Sequence, residues 1–153
     1  MALTGPAHRT PARPRPHLAA RKLGYLVAIT LNAVFFYLIN VQPGWQVVPF
    51  LTSETPQVLD LLNFSVIAAI VVNTVYLLYD APWCKAVGDL MLAVIGLAVL
   101  ERIWRVFPFA FAGRPVLLIH AVLVLAIAGT VAAVIVNVVV LVRLPLPKAR
   151  NDG

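Results

Sequence analysis

The stretch VLLIHAVLVLAIAGTVAAVIVNVVVLV (residues 116–142) decides the fold. It contains 27 consecutive residues without an Asp, Glu, Lys or Arg. At a rise of about 1.5 Å per residue, a helix of this length measures about 40 Å. The hydrocarbon core of a bilayer is about 30 Å thick, and an uncharged apolar run of about 18 or more residues is typical of a transmembrane helix. The stretch therefore predicts a helix that crosses a membrane.

Three apolar runs upstream meet the same length requirement: residues 23–41, 58–79 and 86–107. The chain of 153 residues is 61% hydrophobic and only 12% charged, and its mean hydropathy is +0.92. Such a chain has too few polar groups to cover the surface of a soluble domain. We therefore predict an all-α fold in residues 23–142, an integral membrane bundle of four antiparallel transmembrane helices.

Prolines and capping residues mark the expected helix ends. Thr55 is placed to cap a helix that has Pro56 at its first position, and Pro82 is similarly placed to open the third helix. Pro108 should end that helix, because the residue before a proline is pushed out of the α region.

Both ends of the chain are polar. Residues 1–22 combine five Lys or Arg with four Pro, a composition that favours a disordered, solvated tail, and residues 143–153 form a second short tail. Nine of the 12 basic residues fall on the side of the two tails if the chain crosses the membrane four times. The positive-inside rule then predicts a multi-pass protein of the cell membrane with both termini cytoplasmic, and anionic lipids against the basic tail.

Charge and cysteine content exclude several classes of function. The formal charge of +6 comes mostly from the tails, and no nucleic-acid-binding motif accompanies it, so we expect no nucleic-acid partner. Cys84 is the single cysteine and has no Cys or His companion at metal-ligand spacing. We expect no metal, no cofactor and no catalytic residue.

The stretch VLERIWRVF (residues 99–107) places charges at the end of the third apolar run. Glu101 and Arg105 are four residues apart, so they share one helix face, with the glutamate on the N-terminal side that favours an ion pair. Three further ionisable side chains are expected in the same outer half of the bundle: Arg102, Asp60 and His120.

Two interpretations of this outer group remain open. It is either a self-neutralised collar at headgroup depth, with arginine stems that snorkel to the phosphates, or a site for an ion, a proton or an anionic lipid. His120 lies in the first turns of the long fourth run, which should project into the headgroups. Asp60 suits the positive N-terminal end of a helix.

Three asparagines are expected within the spans. Asn73 and Asn137 each lie six residues before the end of a helix, and these two helices run in the same direction, so both amides should share one depth. A direct hydrogen bond between them would be worth about 0.6 to 2 kcal/mol and would fix the register of the two helices, a structural role that we favour over the alternative of substrate binding. Asn32 should pair across the bundle or across a dimer.

Three segments carry a resemblance: GWQVVPFLT (44–52), LYDAPW (78–83) and VFPFAF (106–111). Together with the spans, they resemble a group of small four-helix membrane proteins from GC-rich bacteria, over residues 23–142. The resemblance implies the same architecture and carries over no functional residue.

Three classes of function follow from these patterns. The leading hypothesis is a non-enzymatic accessory or structural component of a membrane assembly, as a homo-oligomer or with a membrane-protein partner. The alternative is a small oligomeric channel or transporter for an ion, a proton or a solute, with the charged residues at its outer mouth. An intramembrane enzyme would need converging ionisable groups in a water-filled cavity, and their spacing shows no such motif.

Overall fold

The computed structural model describes residues 17–111 and 113–143. Four helices account for most of them: α1 (Leu18–Asn40), α2 (Pro56–Leu78), α3 (Pro82–Val106) and α4 (Arg114–Arg143). Each is long and apolar enough to cross a membrane. The predicted all-α bundle of four transmembrane helices is therefore confirmed.

The helices pack in chain order. α1 packs against α2, α2 against α3 and α3 against α4, each pair antiparallel, whereas in the described ranges α4 packs against neither α1 nor α2. The bundle is thus an open row in which α1 and α4 are the two edges. We call the end where α1 begins and α4 ends the terminal end, and the opposite end the loop end.

The first helix starts earlier than expected. The sequence places residues 1–22 in a disordered tail, but α1 begins at Leu18. The two alanines that follow have high helix propensity, and an ion pair with Asp80 holds Arg21 on the folded part of the chain. The prediction was wrong for residues 18–22, and it was also wrong for Arg143, which is the last residue of α4. Residues 1–16 and 144–153 of the predicted tails lie outside the described residues.

The other helix ends follow the prolines, with one difference. Pro56 and Pro82 open α2 and α3. α3 ends at Val106, and the next residue, Phe107, has a left-handed backbone (φ 43°) and precedes Pro108. Thr55 precedes α2, but its side chain caps no helix N–H group. Its hydroxyl instead donates to the carbonyl oxygen of Thr52 at 2.7 Å, within the preceding turn.

Few side chains are buried by the protein itself. The main buried cluster lies near the terminal end and contains Tyr25, Val72 and Tyr76, with Leu92 packed against it. Large apolar side chains are exposed on all four helices, and on α1 and α4 the exposed ones are the majority. In a membrane, lipid replaces water as the solvent of such surfaces, so this exposure is the pattern expected of transmembrane helices.

At the loop end, the two long connections are joined to each other. Leu51 and Phe109 form an isolated antiparallel β-bridge, and the N–H of Ala110 donates to the carbonyl oxygen of Phe50 at 2.9 Å. The rings of Phe50 and Phe111 stack with centroids 5.5 Å apart. These contacts hold the α1–α2 connection beside the end of α3.

Candidate functional site

The charged pair predicted at the loop end is formed. Arg105 and Glu101 make an ion pair one turn apart on α3, with 69% and 51% of their side chains exposed. Such exposure means that lipid headgroups and water can screen the pair, and exposed pairs of this spacing contribute only about 0.3 to 0.5 kcal/mol. The pair neutralises charge at the end of a span, and Glu101 also borders a pocket of about 350 Å³ between α3 and α4, whose other lining residues are apolar.

The other members of the outer group point elsewhere. Arg102 donates through Nε to the carbonyl oxygen of Gln57 at 3.1 Å and so ties α3 to the first turn of α2. Asp60 is exposed on α2. In the described residues no ion pair joins Asp60 to either arginine.

His120 is held by aromatic side chains. Its ring stacks on Phe107 at a centroid distance of 4.6 Å and meets the edge of Trp104 at 5.1 Å. Its Nδ1 lies 2.8 Å from the carbonyl oxygen of Val116. The five residues of the predicted outer group therefore do not gather at one point, and only Glu101 and Arg105 contact each other directly.

The predicted asparagine pair is not formed in the described part of the chain. Asn73 donates to the carbonyl oxygen of Ala69, at 2.8 Å on its own helix, because α3 lies between α2 and α4 in the row. Asn32 likewise donates to the carbonyl oxygen of Ala28 at 2.8 Å. Asn137 lines a cavity at the terminal end.

A different asparagine pair joins α1 to α2. Asn40 and Asn63 donate to each other's side-chain oxygens, both at 2.8 Å. The reciprocal amide contact satisfies one donor and one acceptor on each residue and fixes the register of the two helices. The sequence gives no indication of this pair, because the two residues lie 23 positions apart.

The largest set of polar contacts lies at the terminal end. Arg21 of α1 contacts Asp80, in the turn between α2 and α3, at 2.7 Å, with 32% and 13% of the two side chains exposed. The hydroxyl of Tyr25 donates to the second carboxylate oxygen of Asp80 at 3.2 Å. These contacts connect the start of α1 to the α2–α3 turn.

The same end holds a second group on α2 and α3. Lys85 and Asp89 form an ion pair one turn apart at 2.9 Å. The hydroxyl of Tyr76 lies 3.0 Å from the Asp89 carboxylate and 2.9 Å from the carbonyl oxygen of Lys85. The ring of Tyr76 also packs 5.5 Å from that of Tyr25, which links the two groups.

We call this set the terminal-end network; its members are Arg21, Tyr25, Tyr76, Asp80, Lys85 and Asp89. It borders a cavity of about 240 Å³ that Asn137 of α4 also lines. Two cations and two carboxylates balance each other, so the charged groups that border the cavity carry no net charge. A cavity of this volume has room for several water molecules, each of which takes about 30 Å³ in the liquid.

A larger cavity lies at the loop end and is apolar. Its volume is about 490 Å³, within the range of about 300 to 1,000 Å³ typical of small-molecule sites. We call it the loop-end cavity. It is bounded by the last turns of α1, the connection to α2, the first turns of α2 and the end of α3. Apart from Thr55, its lining consists of apolar side chains, prolines and a glycine.

Sequence reasoning missed both the network and the cavity. The spacing of Lys85 and Asp89 was a usable signal, because it obeys the same four-residue rule as Glu101 and Arg105. The pairing of Arg21 with Asp80 had no local signal, since the residues belong to segments far apart in the sequence. The cavity depends on how two connections fold over the helix ends.

No group of metal-ligating side chains is brought together within residues 17–111 and 113–143. Comparison of the chain with protein-family models, with curated proteins and with solved structures found no match.

Proposed function

We propose that this protein is a non-enzymatic component of a membrane assembly and that it works by packing against another transmembrane helix. The observation that carries the proposal is the open row. Because α1 and α4, as far as the structure describes the chain, each pack closely against a single neighbouring helix, each keeps a large part of its surface free of the protein's own helices.

The edge formed by α4 supports the proposal best. α4 has 30 residues, and the most apolar stretch of this helix is only 6% buried. Leu118 is 67% exposed and Leu125 is 72% exposed. Gly129 also faces outward, and a β-carbon placed there would meet no other atom within 4 Å. Small residues on a free helix face permit close approach of a second helix.

The state of the charged groups supports a structural role. Asp80, Asp89 and Glu101 are each paired with a cation from the same chain. A carboxylate that acts as a general base or ion ligand needs access to its substrate. Here the carboxylates instead hold helices together or neutralise a helix end.

Photo-crosslinking in the native membrane tests the proposal. A photoreactive amino acid at Leu118 or Leu125 should give a discrete product of higher mass, because both side chains point away from α3. The matched control is Leu123, which is 7% exposed and faces the protein interior. Crosslinks to lipid alone from Leu118, Leu125 and matching positions on α1 would contradict the proposal.

The terminal-end network favours a second candidate, a conductor of protons or small ions, because a polar cavity bordered by two carboxylates lies among the helix ends. Reconstituted liposomes distinguish the two candidates. The proposed structural role predicts no proton, sodium, potassium or chloride flux above that of empty vesicles. A conductor predicts flux that falls in Asp89→Asn and survives in the double variant Glu101→Gln, Arg105→Gln.

A further inference from the structure

The loop-end cavity is built to hold an apolar chain. Thr55 supplies the one hydroxyl of its lining. This side chain is 4% exposed, and its hydroxyl donates to the carbonyl oxygen of Thr52. A water molecule in a cavity needs two to four polar partners, and the surface that faces this cavity is almost entirely apolar. Hydrocarbon satisfies such a surface, because it requires no hydrogen bond.

The position of the cavity makes it accessible to membrane lipid. It lies where α1 ends and α2 begins, at the end of two helices that are long enough to span the hydrocarbon core. Phe35 and Leu38 on its α1 wall are 44% and 45% exposed, and Phe50 in the connection is 42% exposed. These side chains face the surroundings of the protein as well as the cavity, so a chain can reach it sideways from the membrane.

A cation lies beside this apolar space. Ile103 and Val58 line the cavity, and Arg102 lies between the same two helices, with its Nε bound to the carbonyl oxygen of Gln57. Arg102 belongs to none of the ion pairs of the described residues. Its terminal nitrogens are therefore available to a phosphate group, which guanidinium binds well.

Two carboxylates lie within three residues of Gln57, the residue that Arg102 binds. Glu54 accepts a hydrogen bond from the Gln57 side chain, and Asp60 is exposed on the next turn of α2. A headgroup with a net negative charge would be attracted by Arg102 and repelled by both carboxylates. A zwitterionic headgroup combines a phosphate for Arg102 with an ammonium group that suits the carboxylates.

We propose that the loop-end cavity binds one acyl chain of a zwitterionic membrane phospholipid whose phosphate lies against Arg102. The ligand covers the apolar lining and fixes the two connections over the helix ends. This proposal is independent of packing at the α4 edge, because α4 contributes no residue to the lining of the cavity.

Trp45 lines the cavity and supplies the readout. In the full chain purified in detergent, with Trp83→Phe and Trp104→Phe, phosphatidylcholine brominated in its acyl chain should quench Trp45 fluorescence saturably, at one lipid per chain. The control protein keeps Trp83 at the terminal end and carries Trp45→Phe and Trp104→Phe. It should show only the shallow, unsaturated quenching of lipid that mixes into the micelle.

Substitutions in the cavity and at Arg102 test separately where the acyl chain and the phosphate of the lipid bind. Leu62→Phe and Val48→Phe fill the cavity from two different elements and should each weaken binding at least about tenfold, whereas Leu118→Phe on α4 should not. Arg102→Gln should weaken binding about tenfold, the loss expected for one charge-assisted hydrogen bond, and Arg114→Gln should leave it unchanged.

Several outcomes would overturn the proposal. Superimposable quenching curves for the Trp45 and Trp83 proteins would show that no site exists. Unchanged binding in both filling variants, with thermal unfolding as in the parent protein, would place the lipid elsewhere. A dimer in which Trp45 is shielded from the brominated lipid would make a second copy the occupant. Stronger competition by phosphatidylglycerol than by phosphatidylcholine would refute the zwitterionic headgroup.

Discussion

Tyr76 of α2 lies against Gly88 of α3 at a distance that only glycine permits. A β-carbon at residue 88 would stand 2.8 Å from Cζ of Tyr76 and 2.8 Å from a methyl carbon of Val72. Tyr76 is only 3% exposed and cannot swing away without losing its contacts to Asp89 and Lys85. The close approach at Gly88 therefore sets the spacing of α2 and α3.

Replacing this glycine should destabilise the protein. We expect Gly88→Ala to lower the free energy of unfolding by about 1 to 3 kcal/mol, the usual cost of overpacking a filled interior. Gly96→Ala on the same helix is the control, because a β-carbon there meets no atom within 4 Å. It should be neutral or stabilising by up to about 1 kcal/mol. Unfolding in detergent micelles measures both variants, and equal stabilities would contradict the assigned contact.

The ion pair Arg21–Asp80 at the terminal end should contribute more to the free energy of unfolding than the ion pair Glu101–Arg105 at the loop end. Arg21→Gln removes the partner of Asp80, whose side chain is 13% exposed, and should cost about 2 kcal/mol, less than the 3 to 5 typical of fully buried pairs. Arg105→Gln removes the partner of Glu101, which is 51% exposed, and should cost less than about 0.5 kcal/mol. Thermal unfolding of the two variants ranks the pairs, and the reverse order would refute this account of the terminal-end network.

The amide pair between α1 and α2 should behave as a coupled unit. In a double-mutant cycle, Asn40→Ala and Asn63→Ala should show an interaction energy of about 0.6 to 2 kcal/mol. Asn32→Ala is the comparison, because Asn32 bonds to its own helix and should not couple to residue 63. Additive losses at positions 40 and 63 would mean that the pair does not form in the membrane.

The charge distribution predicts the direction of insertion. In a chain with Cys84→Ala, a cysteine introduced at Ser53, which is exposed in the α1–α2 connection, should react with a membrane-impermeant thiol reagent applied to intact cells. A cysteine at Asn151 should react only after permeabilisation. Labelling of residue 151 in intact cells would reverse the predicted orientation.

The four helices could be predicted from the sequence because they depend on local features, namely the length of each apolar run and the positions of the prolines. Apolar length located all four helices, and Pro56, Pro82 and Pro108 placed three of their ends within a few residues. The start of α1 was predicted wrongly because Arg21 follows a basic, proline-rich segment and so resembles a residue of the tail. Its ion-pair partner, Asp80, is distant in the sequence. A charged residue beside an apolar run does not reveal, from the sequence alone, that it forms an ion pair and belongs to the helix.

The polar contacts divide in the same way. Glu101 and Arg105 could be paired from spacing alone, because a helix fixes their relative positions. The predicted contact between Asn73 and Asn137 was wrong. The sequence predicts the depth of each residue in the membrane, but it does not predict the order of the helices in the row. Equal depth brings two side chains together only if their helices are neighbours. Asn40 and Asn63 satisfy both conditions, and only a three-dimensional arrangement reveals it.

The open row of helices bears on how the chain is made. Within the described ranges, every helix packs only against the one synthesised before or after it, so its upstream partner is already in the bilayer when it leaves the translocon. Contacts between segments close in sequence form quickly. Biogenesis can thus proceed by successive addition at one edge, and a nascent chain that ends after α3 already holds all of the packing between its first three helices.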